Sequence, residues 1–172
     1  RWMRMIQVCV HFQSSVKLRH GIESLSGADG VTVRATRAGS PCLTNAAGSL
    51  YLYFRLTGTP PVPRSPLYVT AEYYDDEIGA RPGLEADSRM GNSPVDRYRP
   101  AEDEVGGQRV GSGRWRRVVF WLKLPRFEHR QNMGADFRLA STSLLIRSLR
   151  LDSVRPADWN ALIDQPDVVL ID

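Results

Sequence analysis

The stretch Trp115-Arg116-Arg117-Val118-Val119-Phe120-Trp121-Leu122-Lys123-Leu124 decides the fold. Its even positions, Val118, Phe120, Leu122 and Leu124, are all apolar, and alternation over this length predicts a strand with those side chains facing a core. The odd positions put Trp115, Arg117, Val119, Trp121 and Lys123 on the opposite face. Two earlier segments repeat the pattern. In Leu50-Tyr-Leu-Tyr-Phe-Arg-Leu56, Leu50, Leu52, Phe54 and Leu56 share one parity, and Tyr51, Tyr53 and Arg55 the other. In Leu67-Tyr-Val-Thr-Ala-Glu-Tyr-Tyr74 the inward set is Leu67, Val69, Ala71 and Tyr73. Three amphipathic strands of this kind need a second sheet to bury them.

Outward from these strands, turn chemistry punctuates the chain. Ser26-Gly27-Ala28-Asp29-Gly30 precedes a short strand opened by Val31 and Val33 and ended by Gly39-Ser40-Pro41. A Pro-rich loop runs from Gly58 to Pro66. The polar stretch from Asp75 to Gly113 has room only for short strands, near Gly83 to Asp87 and Gln108 to Val110. Asp136 to Ala140 and Leu144 to Leu151 read as two strands joined by Ser141-Thr142-Ser143, a hairpin signal. At the start, Trp2, Met3, Met5, Ile6, Val8, Val10 and Phe12 fit a strand from about Met5, the favoured reading, while other spacings tolerate a helix. One helix is expected, after Pro156, where Trp159, Leu162 and Ile163 recur at helical spacing, followed by an apolar strand Val168 to Ile171. The expected fold is therefore all-β: a two-sheet antiparallel jelly-roll sandwich over residues 1–153, with a short C-terminal helix and strand in a tail over 154–172.

The 172 residues suffice for one core without staples, and 14 glycines and 11 prolines among short apolar runs suit a turn-rich β protein. No apolar run approaches the length of a membrane span. The net charge of +4 comes from arginines scattered singly, with one tight cluster at Arg114, Arg116 and Arg117. A basic stripe with a reading element is missing, which argues against a nucleic-acid partner. An opening Arg1 in place of Met fits an excised piece, an altered start or a removed signal peptide alike. Cys9 and Cys42 can pair or stay free, since sequence separation does not decide between the two.

Four passages carry a family resemblance: Val69-Thr-Ala-Glu-Tyr-Tyr-Asp-Asp76, Gly113-Arg-Trp-Arg-Arg117, Phe127-Glu-His-Arg-Gln-Asn-Met-Gly-Ala-Asp-Phe-Arg-Leu-Ala140 and Leu145-Ile-Arg-Ser-Leu-Arg-Leu151. In order and spacing they resemble the galactose-binding-like jelly-roll domains attached to bacterial glycoside hydrolases and other secreted proteins. The most specific part is Arg130 to Arg138. This resemblance, over about residues 20–152, implies a β-sandwich that binds carbohydrate or organises a larger enzyme, in an extracellular or envelope setting beside a catalytic domain. The pattern is broken in two places: Ala86 stands where an aromatic is expected before Asp87-Ser88, and Val119 and Trp121 make an outward face apolar. The segment from Pro156 to Asp172 looks like the opening helix and strand of a rhodanese module. It holds no catalytic cysteine loop, so sulfurtransferase chemistry is not expected here.

No enzyme is expected. His11, His20 and His129 lack metal-ligand spacing, no phosphate-binding glycine loop occurs, and neither cysteine has a nucleophile's context. The acidic runs Asp75-Asp76-Glu77 and Glu102-Asp103-Glu104 read as solvated loops before they read as a glycosidase pair. No cofactor is implied; Asp75, Asp76 or Asp152 with backbone carbonyls could hold a structural calcium, though no contiguous calcium loop is spelled out. For a sugar, Tyr74, Tyr98, Trp115 and Trp121 are the available stacking platforms, with Asp75, Asp76, Arg97 and Asn132 as hydrogen-bonding company. Arg138 and Arg147 fall inside strands and read as paired residues, with Asp136 or Glu72 as partners.

Overall fold

A computed structural model describes residues 8–11, 21–58, 67–91 and 93–152. Its strands are β1 (Val8–His11), β2 (Gly21–Leu25), β3 (Thr32–Arg37), β4 (Ser40–Asn45), β5 (Tyr51–Thr57), β6 (Leu67–Asp75), β7 (Ile78–Gly79), β8 (Gly83–Ala86), β9 (Arg99–Pro100), β10 (Asp103–Gly106), β11 (Arg109–Val110), β12 (Arg114–Leu122), β13 (Phe137–Ala140) and β14 (Ile146–Asp152). Two 3-10 turns, Pro94–Tyr98 and Asn132–Gly134, join them. One sheet runs β10-β12-β6-β14-β4-β3, with β1 sharing an edge of β14. The other runs β2-β5-β13-β8-β9, and β7 pairs with β11 in a separate ribbon. From β4 onward the main strands alternate between sheets (β4, β5, β6, β8, β12, β13, β14), which is the winding of a jelly roll.

The inward parities meet as expected. Leu52, Phe54 and Leu56 of β5, with Phe137 and Leu139 of β13, face Val69, Ala71 and Tyr73 of β6 and Val118, Phe120 and Leu122 of β12 in one core. Each Val, Leu or Phe side chain among these stabilises the fold by about 1.5–3 kcal/mol on burial. Phe54 and Phe137 stack with centroids 5.4 Å apart. Tyr73 is fully buried, and its hydroxyl donates to the Gln108 carbonyl at 2.7 Å. Cys42 is a buried, free thiol.

Several expectations are corrected. Ser141 to Ser143 do not close a hairpin, because β13 and β14 lie in different sheets. The connection crosses the sandwich edge, with Ser143 at φ 54° and Leu144 sunk into the core. The tight hairpin is β3–β4, closed by Ala38 and Gly39 at φ 46° and 74°; positive φ at both central residues matches the twist of the flanking strands. Leu50 and Leu124, expected in the core, are exposed. Each lies just beyond its strand's end, where pairing no longer enforces the parity. The rest of the N-terminal strand, the Pro-rich loop and the C-terminal helix and strand lie outside the described residues. Among the described residues no helix is long and apolar enough to cross a membrane.

One irregularity positions functional side chains. Ile146 and Leu149 are both buried although they differ in parity, so an unbroken strand would turn one of them outward. A register shift between Ile146 and Ser148 resolves this and sends Arg147 and Ser148 together to the outer face.

Candidate binding surfaces

The stretch Arg130 to Asp136 is a clamp. Arg130 grips the buried Asp87 through Nε and Nη2. The buried Gln131 donates to the carbonyls of Glu85 and Arg97. Met133 and Gly134 turn at φ 60° and 76°. The buried Asp136 carboxylate accepts the amides of Leu56 at 2.8 Å and His129 at 3.0 Å and faces His129 Nδ1 at 3.1 Å. Burial pushes the Asp136 carboxyl up in spite of those bonds. The clamp ties β13 to β8 and to the Pro94–Tyr98 turn, and so fixes what projects from the outer face of the five-stranded sheet.

On that face Leu25, Tyr53, Arg138 and Glu85 stand in register across β2, β5, β13 and β8. The Arg138 guanidinium lies 3.6 Å from the Tyr51 ring centroid and 4.1 Å from that of Tyr98. Its Nε donates to Glu85, and its Nη1 donates to Tyr53 Oη at 2.7 Å. Tyr53 in turn donates to Asp29 at 2.9 Å, and Asn132 Nδ2 donates to the same carboxylate at 3.0 Å. Tyr98 Oη accepts the Asn132 amide at 2.9 Å. Burial pushes the Tyr53 phenol up to about 12, which keeps it a neutral donor. Two tyrosines are thus held rigidly by one arginine.

The next row is Tyr51, Ala140 and Gly83. Beside Tyr51 and Ala140 lies a cleft of roughly 420 Å³ lined by Leu50, Tyr51, Ile78, Arg81, Ala140 and Ser141, among others. Behind it, the buried Arg109 binds Glu77 at 2.6 Å, Ser141 Oγ at 3.2 Å and the Thr142 carbonyl at 3.1 Å. Those bonds hold the β7–β11 ribbon against the β13–β14 connection, so the cleft has a fixed far wall.

The outer face of the seven-stranded sheet is different. Pairing sets Trp115 beside Tyr74, Arg117 beside Glu72, Val119 beside Thr70 and Trp121 beside Tyr68. Trp115 meets Tyr74 edge-on at 5.1 Å. Arg147, turned outward by the bulge, lies 4.7 Å from the Trp115 ring, and Arg37 lies 5.1 Å from that of Tyr74. Glu72 accepts from Arg147 at 3.1 Å, Arg117 at 3.2 Å and Ser148 at 2.7 Å. Burial would raise the Glu72 carboxyl, but the bonds from Arg147, Ser148 and Arg117 outweigh it and hold it at about 2, against an ordinary 4.5. A depressed folded-state pKa means that the cluster's stabilisation is present above about pH 4.5 and is lost as pH falls toward 2. Thermal midpoints measured from pH 6 to 2 should therefore drop through that window. Glu72→Gln should flatten the drop, and an unchanged slope would rule the cluster out as its source.

No protein-family model matches the chain, and no curated protein matches it. Among solved structures it is similar to the cleaved K1 adhesin domain of Lys-gingipain from Porphyromonas gingivalis. The identity is 13%, the TM-score is 0.40, and the match covers 86% of this chain and 95% of that one. A likeness of that size assigns nothing. The sandwich rests on the strand pairing itself.

The eight sugar-site candidates from the sequence fall in separate places. Tyr98 and Asn132 come together at the Arg138 shelf, with Arg97 nearby on the exposed 3-10 turn. Tyr74 and Trp115 meet on the opposite sheet, and Asp76 joins them through Arg37 at 3.1 Å. Trp121 is on that same outer face but packs with Tyr68 and Val119, both already buried. Asp75 is enclosed: its oxygens accept the amides of Val110, Gly111 and Ser112, which leaves no exposed atom for a ligand. Asp75 and Asp152 sit at opposite ends of the sheet, and Asp152 binds Arg150 at 2.6 Å. Among the described residues no group of three metal-ligating side chains assembles. Arg147 pairs with Glu72 as anticipated, whereas Arg138 takes Glu85 and not Asp136. Tyr51, Glu85, Asp29 and the cleft were missed, although the outward parity of Tyr51 was legible.

Proposed function

We propose that this chain is a non-catalytic carbohydrate-binding module of a larger extracellular or envelope protein, and that its glycan lies in the cleft beside Tyr51. The observation that carries this reading is the cleft lined by Tyr51 and Ala140, with the Arg138 guanidinium over the Tyr51 ring. A sugar's C–H face packs on an aromatic ring while its hydroxyls need a few fixed polar groups. Arg81, Ser141 and the Thr142 carbonyl offer such groups in the cleft, and Asn132 and Asp29 offer them on the shelf. A pre-formed wall and a locked aromatic also reduce the ordering needed on binding. The galactose-binding-like resemblance of the sequence supports the same assignment.

Glycan arrays of plant, microbial and host polysaccharides should give at least one ligand above background. Tyr51→Ala should weaken that ligand on the order of tenfold, the effect of about 1.4 kcal/mol of lost stacking. Background signal across a broad array would refute the reading. A structural or protein-interaction sandwich without a sugar site is the competing account, and one observation favours it: Tyr68 and Val119 are buried on an outer face. That face is covered at one end, which explains its apolar residues without a ligand.

A further inference from the structure

On a different face from the cleft, and from different observations, we infer that the outer face of the seven-stranded sheet around Trp115 and Tyr74 docks an acidic polysaccharide, a polymer with repeated carboxylate or sulfate groups. Among the described residues, arginines outnumber carboxylates on that face. Arg37, Arg117, Arg147 and Arg150 project from this face, with the exposed Arg114 at its rim, against four carboxylates, Glu72, Asp76, Asp103 and Asp152. On the five-stranded sheet, Arg55 and Arg138 are matched by Glu23, Glu85 and Asp29, and no surplus remains.

Layering strengthens the asymmetry. In every pair the arginine side chain is more exposed than its carboxylate: 48% against 21% for Arg37 and Asp76, 39% against 18% for Arg117 and Glu72, 34% against 18% for Arg147 and Glu72, and 37% against 4% for Arg150 and Asp152. Carboxylates lie beneath and guanidinium groups above, so an approaching polymer meets cations first. Arg147 over Trp115 and Arg37 over Tyr74 are braced on aromatic faces. A braced guanidinium loses less freedom when its N–H edges engage a carboxylate or sulfate, and the planar fork suits those groups. The partner is a glycan and not duplex DNA, because among the described residues this strand surface carries no helix or projecting ribbon to enter a groove.

The test uses the whole chain and four probes: heparin (sulfated), alginate (carboxylated), dextran (neutral) and a 20-base-pair DNA duplex, titrated at about 50 and 250 mM salt. Heparin, alginate or both should bind, and the higher salt should weaken them on the order of tenfold. The relative affinity for the two distinguishes sulfate from carboxylate. The triple substitution R37Q/R114Q/R147Q should lower the affinity at least tenfold and leave any Tyr51-dependent glycan binding unchanged. R37Q/R114Q, which spares the Glu72 cluster, should give a smaller loss in the same direction and guards against a folding effect. Absence of binding to both polyanions, an unaltered triple variant, or tighter binding to DNA than to either glycan would overturn the inference. None of these results bears on the cleft, whose own test is the Tyr51 variant.

Discussion

Asp75→Ala is expected to lower the free energy of unfolding by about 3 kcal/mol. The Asp75 side chain is fully buried at the end of β6 and accepts three successive backbone amides, from Val110, Gly111 and Ser112, at 2.9–3.0 Å, while Arg116 approaches at 3.4 Å. Alanine leaves those donors without their acceptor in a site shaped around it, and leaves Arg116 with the Gln108 carbonyl but no carboxylate. Burial by itself would raise the Asp75 carboxyl, but the bonds from Ser112, Gly111 and Val110 outweigh it and hold it at about 2. The stabilisation is thus present above the ordinary 3.8 and is lost as pH falls toward 2. Urea titration at pH 7 should show the loss, with Asp75→Asn intermediate. A change below about 1 kcal/mol would mean that water takes over the three amides without disturbing the fold.

Phe137→Ala should cost about 4 kcal/mol, within the range for a fully buried aromatic truncated in a packed core. Phe137 pairs directly with Phe54 on β5 and stacks on it at an interplanar angle of 24°. Phe54→Ala should cost a similar amount, but the double variant should fall short of the sum by about 1 kcal/mol, since each single change already removes the ring contact. Strict additivity in a double-mutant cycle would show that the rings contribute burial alone.

These two expectations rest on different grades of legibility. The core was readable because alternation in β5, β6 and β12 is strict, and a one-residue slip would turn every apolar side chain to water. Phe54, Val69 and Phe120 were placed by parity alone. The strand ends were less readable: Leu50 and Leu124 continue the alternation after pairing has stopped. The Ser141–Ser143 turn looked like a hairpin because turn chemistry reports a reversal without reporting which sheet the next strand joins. At the candidate sites, the sequence named the aromatics but could not sort them between faces of two different sheets. Arg138 is the clearest example. Its strand position was read, yet its partners come from β5, β8 and the Pro94–Tyr98 turn, and their convergence depends on the strand order β5-β13-β8. Asp75 looked like a loop carboxylate open to a ligand because nothing local shows that residues 110 to 112 fold back onto it.

The glycan cleft proposed on the five-stranded sheet is walled by Tyr51 and the β7–β11 ribbon. Its most direct test is a backbone amide NMR titration of the chain with array-selected oligosaccharides. The account predicts saturable shifts concentrated at Tyr51, Ile78, Arg81, Ala140 and Ser141, with Arg138 and Tyr98 following more weakly along the shelf. Shifts confined to other surfaces, or none with any oligosaccharide up to millimolar concentration, would contradict it.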